Sequence, residues 1–296
     1  MQQKLNSILF IFVLFFVLTF TVHAQNNLID NYVPPVQKQI TYNGISIIKN
    51  IRYGSIPEFI NDSVSDRILD LYLPNKVNEK ESLPVFLYLH GGGFVNGDKG
   101  MLELCSKISL QGFAVVSINY RLTLRYKKVI GASCSSNMAK GLPPNGSFHP
   151  ILNEAIKNAS DDAISAMQWI KNHAAKYKLN INKVAITGSS AGAMAALYVA
   201  YGSKQKVLPI KGVVNFYGGL ENVNVITKGA PPVLIYHGDL DKTINIAYAH
   251  AIKDRMDVIE SKKSQLHVLK DKPHSNYKLI VDEKIDEIVS FLNKVI

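Results

Sequence analysis

Cysteine and tryptophan are scarce, with two and one among 296 residues. Two thiols exclude a disulfide-rich scaffold, a four-cysteine zinc site and an iron–sulfur cluster held by four cysteines. Charge is also sparse, at 19% of residues, and nowhere runs to five like charges; the densest basic pairs are Lys127-Lys128 and Lys262-Lys263. The formal net charge is +10. Without a basic stripe interleaved with aromatics, that excess reads as a solvated surface and excludes a nucleic-acid partner. Repeats and low-complexity tracts are missing after Gln25. Apolar residues are plentiful, at 47%. That is a folding composition, and the length suits one α/β domain.

The longest apolar run comes first. Ile8 to Leu18 is unbroken, follows Lys4, and is followed by Val22-His23-Ala24. This predicts a signal peptide over 1–24, cleaved before Gln25. The run is short for a membrane span of about 20 residues, so stable membrane insertion after cleavage is not expected, and the location is secreted or periplasmic. An oxidising compartment would let Cys105 and Cys134 pair. The alternative has Cys105 as a buried helical residue and Cys134 as a free loop thiol.

The mature chain, 25–296, reads as a single α/β domain. A polar, extended lead-in over Asn26–Gln39 comes first. Arg67 to Leu73 alternates polar and apolar residues, as a half-buried antiparallel edge strand would. Continuous apolar runs at Val85–Leu89, Phe113–Ile118, Val184–Ile186, Gly212–Phe216 and Val233–Tyr236 predict strands covered on both faces. Helical patterns fall between them: Met101–Leu110, a helix capped by Ser160 with Asp161 and Asp162 in its first turn, Ala191–Tyr201, Ile244–Ile259, and a last one from Ile285. Alternating strands and helices predict a mostly parallel sheet with helices on both faces. The stretch near 125–150 breaks the rhythm. Gly131 to Pro150 has neither periodicity, which predicts a substrate-facing flap that buries little.

Chemistry concentrates at one turn. Gly188, Ser190 and Gly192 satisfy G-x-S-x-G between an apolar strand and an Ala-rich helix. That context holds a serine in a strained turn with its hydroxyl exposed; Ser189 is out of register. Upstream, His90-Gly91-Gly92-Gly93 follows a strand and leaves backbone N–H groups free to meet an anion, with His90 holding the loop. A serine nucleophile needs a base and an acid to orient it. In the order nucleophile, acid, base, both follow Ser190 in loops after strands. Asp241 is the acid and Asp239 its rival. His274 is the base, because His250 falls in a helix and His267 in the strand Gln265–Leu269. His149 precedes the nucleophile and reads as a flap or surface residue.

Taken in order, His90 to Gly93, Asn119-Tyr120-Arg121-Leu122, Gly188 to Gly192, His237-Gly238-Asp239-Leu240-Asp241 and His274 resemble the α/β-hydrolase superfamily. They are similar to its HGGG-type esterases, the lineage of hormone-sensitive-lipase-like esterases and small secreted acetyl and feruloyl esterases. The resemblance runs from about Ile45 to the C-terminus. It implies the α/β-hydrolase fold, a serine esterase with Ser190, Asp241 and His274 as its triad, and an oxyanion hole from the N–H groups of Gly92, Gly93 and Ala191. Asp162 matches a family position; a helix-dipole role also accounts for it. The implied activity is hydrolysis of carboxylic esters, short-chain or carbohydrate-linked, with no cofactor and no metal. Alternatives are a peptidase or amidase of the same fold, a formamidase, and a non-catalytic binding module. No sequence feature specifies an oligomeric state.

Overall fold

A computed structural model describes residues 35–56, 64–75, 81–143 and 146–296. The expected signal peptide and most of the expected lead-in lie outside the described residues. The described strands are β1 (Lys38–Tyr42), β2 (Ile45–Arg52), β3 (Ile68–Pro74), β4 (Leu83–Leu89), β5 (Ala114–Ile118), β6 (Leu179–Ser189), β7 (Ile210–Phe216), β8 (Val233–Gly238) and β9 (Gln265–Leu269). They join one sheet in the order β1-β2-β3-β5-β4-β6-β7-β8-β9. The pairs from β1 to β5 are antiparallel. From β5 onward every pair is parallel.

The apolar runs lie in the parallel part because both faces are covered there. In β4, Val85, Leu87 and Leu89 enter one core and Phe86 and Tyr88 the other. The first core is closed by α4 (Pro150–Tyr177), α5 (Ala191–Leu197) and α6 (Ala247–Val258). The second is closed by α1 (Leu102–Leu110), α7 (Tyr277–Glu283) and α8 (Ile285–Val295). Two short helices, α2 (Thr123–Tyr126) and α3 (Cys134–Met138), cross the rim of the first core.

Three expectations are corrected, and of the two readings of the cysteines one is excluded. The strand at 67–73 is not an edge: β2 and β1 lie outside it, so β3 is buried on nearly every residue. The long helix begins at Pro150, not Ser160. Leu152, Ala155, Ile156 and Ala159 extend its apolar stripe toward the N-terminus, His149 Nδ1 accepts the Ile151 N–H at 3.2 Å, and the Ser160 hydroxyl donates to the Ile156 carbonyl from mid-helix. The 131–150 stretch is not a loose flap. Ala132, Cys134, Met138 and Phe148 are all buried in the first core, around α3 with its Ser133 cap. Finally, Cys105 and Cys134 are free and belong to the opposite cores, so they form no disulfide.

Candidate active site

β6 ends at Ser189 and α5 begins at Ala191, which leaves Ser190 alone in the turn at φ 52° and ψ −118°. A side chain is strained there. The turn is held by the Ser190 N–H, which donates to the Phe216 carbonyl of β7 at 2.9 Å. Both glycines of the motif are dictated by close backbone approach. A Cβ on Gly188 would overlap the backbone of Gly192, and one on Gly192 would overlap the carbonyls of Leu89 and His90. The glycines thus press the Ser190 turn against the end of β4.

The loop after β9 carries His274 to this turn. His274 Nε2 stands 2.9 Å from Ser190 Oγ, and Nδ1 stands 2.6 Å from Asp241 Oδ2 in the loop after β8. With Nδ1–H donating to the carboxylate, Nε2 presents a lone pair to the serine O–H. The carboxylate is fixed on its other side, where Oδ1 accepts the N–H groups of Thr243 and Ile244 at 2.8 and 2.9 Å. Burial works against its charge, but the hydrogen bonds from His237 and His274 outweigh that and hold it well below the usual carboxylate range. Tyr217 meets the His274 ring edge-on at 5.1 Å.

The glycine loop after β4 faces the same hydroxyl. Gly92 and Gly93 have φ of 117° and 64°, and the Gly92 carbonyl accepts the N–H groups of Val95 and Asn96, closing a tight turn. Ala191 is the first residue of α5, so its N–H has no acceptor within the helix. The loop is braced from behind. His90 stacks on Tyr120 with ring centroids 4.4 Å apart and donates from Nδ1 to the Gly91 carbonyl at 2.6 Å. Asn119 accepts the Lys99 N–H at 2.6 Å and donates to Asp98 at 3.1 Å. A cavity of about 490 Å³ opens here, lined by Gly91, Gly92, Gly93, Ser190 and His274 among others. A hydroxyl, an imidazole and a carboxylate in line, beside a cavity-lining glycine loop, can perform acyl transfer.

A family model described as α/β hydrolase fold matches residues 153–228, and one described as BD-FAE matches 69–130. Among solved structures, a truncated carbohydrate esterase from gut microbiota superposes with a TM-score of 0.61 at 17% identity, covering 87% of this chain and 99% of that one. Thermogutta terrifontis esterase 2 phosphorylated by paraoxon gives 0.59 at 15% identity, covering 89% and 95%. The chain has the α/β-hydrolase fold. Curated relatives of this hydrolase-fold chain include the medium-chain fatty acyl-CoA hydrolase precursor of Anas platyrhynchos. It is 29% identical over 124 residues, or 42% of this chain and 19% of that protein. Tuliposide A-converting enzyme 2 of Tulipa gesneriana is 27% identical over 179 residues, or 59% of this chain and 42% of that protein. The chain thus spans less than half the length of either curated relative.

In this α/β-hydrolase fold the rival residues fall elsewhere. Ser189 Oγ lies 2.9 Å from the Tyr88 hydroxyl. Asp239 is exposed and accepts the Lys272 N–H at 3.3 Å. His250 is exposed on α6, His267 pairs with Glu287 at 3.0 Å, and His149 caps α4. Two residues named in the sequence motifs have contacts that the sequence did not specify. Asp162 is no helix-dipole residue: it is buried mid-helix, pairs with the Arg121 guanidinium at 2.8 Å and accepts the Arg121 N–H, fixing the segment beside the glycine loop. His237 is fully buried and donates from Nε2 to the Ile244 carbonyl at 2.7 Å, with the same atom 3.2 Å from Asp241 Oδ2. The signal for His237 was its place in the segment that ends at Asp241.

Proposed function

We propose that the protein is a serine hydrolase of carboxylic esters that works through an acyl-enzyme. The observation that carries this reading is the line from Ser190 Oγ through His274 to Asp241, at 2.9 and 2.6 Å. Ser190 attacks the ester carbonyl as His274 Nε2 takes its proton, and Asp241 stabilises the resulting imidazolium. The oxyanion forms against the N–H groups of Gly92, Gly93 and Ala191. His274 then protonates the departing alcohol, and water repeats the sequence on the acyl group. The Gly92 and Gly93 amides make no hydrogen bond to another backbone group among the described residues, as an oxyanion site requires.

Short-chain or carbohydrate-linked acyl groups are the proposed substrates. The likeness in fold to a carbohydrate esterase and the hydrolase activity named for the acyl-CoA relative support that choice. The apolar run at Ile8–Leu18 supports action outside the cytoplasm. The test is turnover of p-nitrophenyl acetate and butyrate beside acetylated and feruloylated xylan, for the wild type and Ser190→Ala. Ester turnover that Ser190→Ala abolishes is the expected result. Turnover of anilide analogues alone would replace the reading with an amidase.

A further inference from the structure

A second cavity, of about 480 Å³, lies beside the catalytic one. Phe148, Ile156, Met194, Tyr198 and Leu220 give it an apolar lining. Its rim is polar: Glu221 accepts the Phe148 N–H and, at 2.8 Å, the Asn153 amide. A single layer of side chains divides the two spaces. Cys134 lines the catalytic cavity and Met194 lines the second one, and their sulfurs are 3.8 Å apart. Met138, from the same short helix as Cys134, closes the layer. Its Cε stands where a Cβ on Gly219 would fall, and Gly219 also lines the second cavity.

We propose that the Cys134–Met194 pair sets the length of the alkyl arm of the ester that the site accepts. The pair ends the catalytic cavity against a second cavity shaped for the distal methylenes of an unbranched chain. The proposal rests on the ester-hydrolase reading above. Neither sulfur has another task in the structure. Burial pushes the Cys134 thiol up to about 12, so it is neither a thiolate nucleophile nor a base. Thioethers yield and repack more readily than branched side chains, which suits a removable partition. A short ester ends before the wall. A longer chain meets the Cys134 sulfur and leaves its remaining methylenes in water. Each methylene moved out of water favours binding roughly fourfold, so an opened wall should favour long chains over short ones.

The experiment compares the wild type with Cys134→Ala, Met194→Ala and Met194→Leu. The last keeps the volume of the wall. The readout is the ratio of kcat/KM for p-nitrophenyl octanoate to that for the acetate, with octyl and ethyl acetate as a second series for the alcohol arm. In either alanine variant the long-to-short ratio should rise about tenfold or more in one series, which also assigns the second cavity to the acyl or the alcohol side. Met194→Leu should keep the wild-type ratio. Folded alanine variants with unchanged ratios in both series would overturn the proposal. Should Met194→Ala fail to fold, the milder Cys134→Ala decides. Calorimetric binding of octanoate against acetate to the same variants does not depend on turnover. A protein that hydrolyses no ester but gains about tenfold in octanoate affinity on opening the wall would refute the ester-hydrolase reading and keep the wall. Normal ester turnover with no change in either ratio or octanoate affinity would do the reverse.

Discussion

Tyr120 holds His90 at two points: the rings stack at 4.4 Å, and the Tyr120 hydroxyl donates to the His90 carbonyl at 2.6 Å. The His90 carbonyl also lies against Gly192, so Tyr120 braces the seam where the glycine loop meets the Ser190 turn. Tyr120→Phe keeps the stacking and removes the hydrogen bond. It should cost about 1 kcal/mol in urea unfolding and lower ester turnover several-fold through a looser loop. An unchanged turnover number would show that the brace is structural only.

Ser190→Ala should lose about 10⁴–10⁶ in rate with its unfolding midpoint retained. Ser189→Ala should keep most activity, since its hydroxyl faces Tyr88 and not His274. Rate measurements on both, with circular dichroism for the fold, test the register. Activity that survives in Ser190→Ala and dies in Ser189→Ala would reverse it.

His274→Ala should likewise be almost inactive, and His250→Ala and His267→Ala should not. The exposed His250 touches nothing in the site, and His267 is engaged with Glu287. Steady-state assays of the three variants check this directly.

Acid should destabilise the fold through His90. Burial lowers its imidazole from 6.5 to about 4, against the pull of its hydrogen bond to the Gly91 carbonyl. The unfolded chain therefore binds the proton first as pH drops. Stability from this group is complete above about pH 6.5 and declines toward pH 4, by roughly 3 kcal/mol in all. Urea titrations at pH 7 and pH 4.5 should show the loss, and His90→Gln should flatten the slope over that window.

The 131–149 segment should matter for stability. Met138 is fully buried in the first core, so Met138→Ala should cost about 2–5 kcal/mol. Deleting 132–148 should lower the melting temperature by many degrees. Calorimetry on both variants measures it, and a deletion that melts like the wild type would contradict the packing.

What could be read from the sequence followed strict local rules. The strands buried on both faces announced themselves as apolar runs, and G-x-S-x-G marked Ser190 because only glycines let the turn approach β4. His274 was reachable by elimination, as a histidine in a loop after a strand. The 131–150 stretch was misread because its buried residues, Ala132, Cys134, Met138 and Phe148, are spaced by tertiary contact and follow no helical or strand period. The start of α4 was misplaced by a serine that suits a cap but here bonds backward to the Ile156 carbonyl. Asp162 and His237 were legible only as members of motifs. Their partners, Arg121 and the Ile244 carbonyl, depend on which chain segments fold together.

The parallel half of the sheet also governs when the protein can act. Ser190, Asp241 and His274 leave from the ends of β6, β8 and β9, and the histidine lies 84 positions beyond the serine. A partial chain that stops short of β9 lacks His274, the imidazole that meets the hydroxyl. Contacts across such separations form late in folding, because the intervening chain must be ordered first. A ribosome-bound polypeptide would therefore carry Ser190 without His274. Reaction with a serine-directed phosphonate could then report, molecule by molecule, that the last strand has docked.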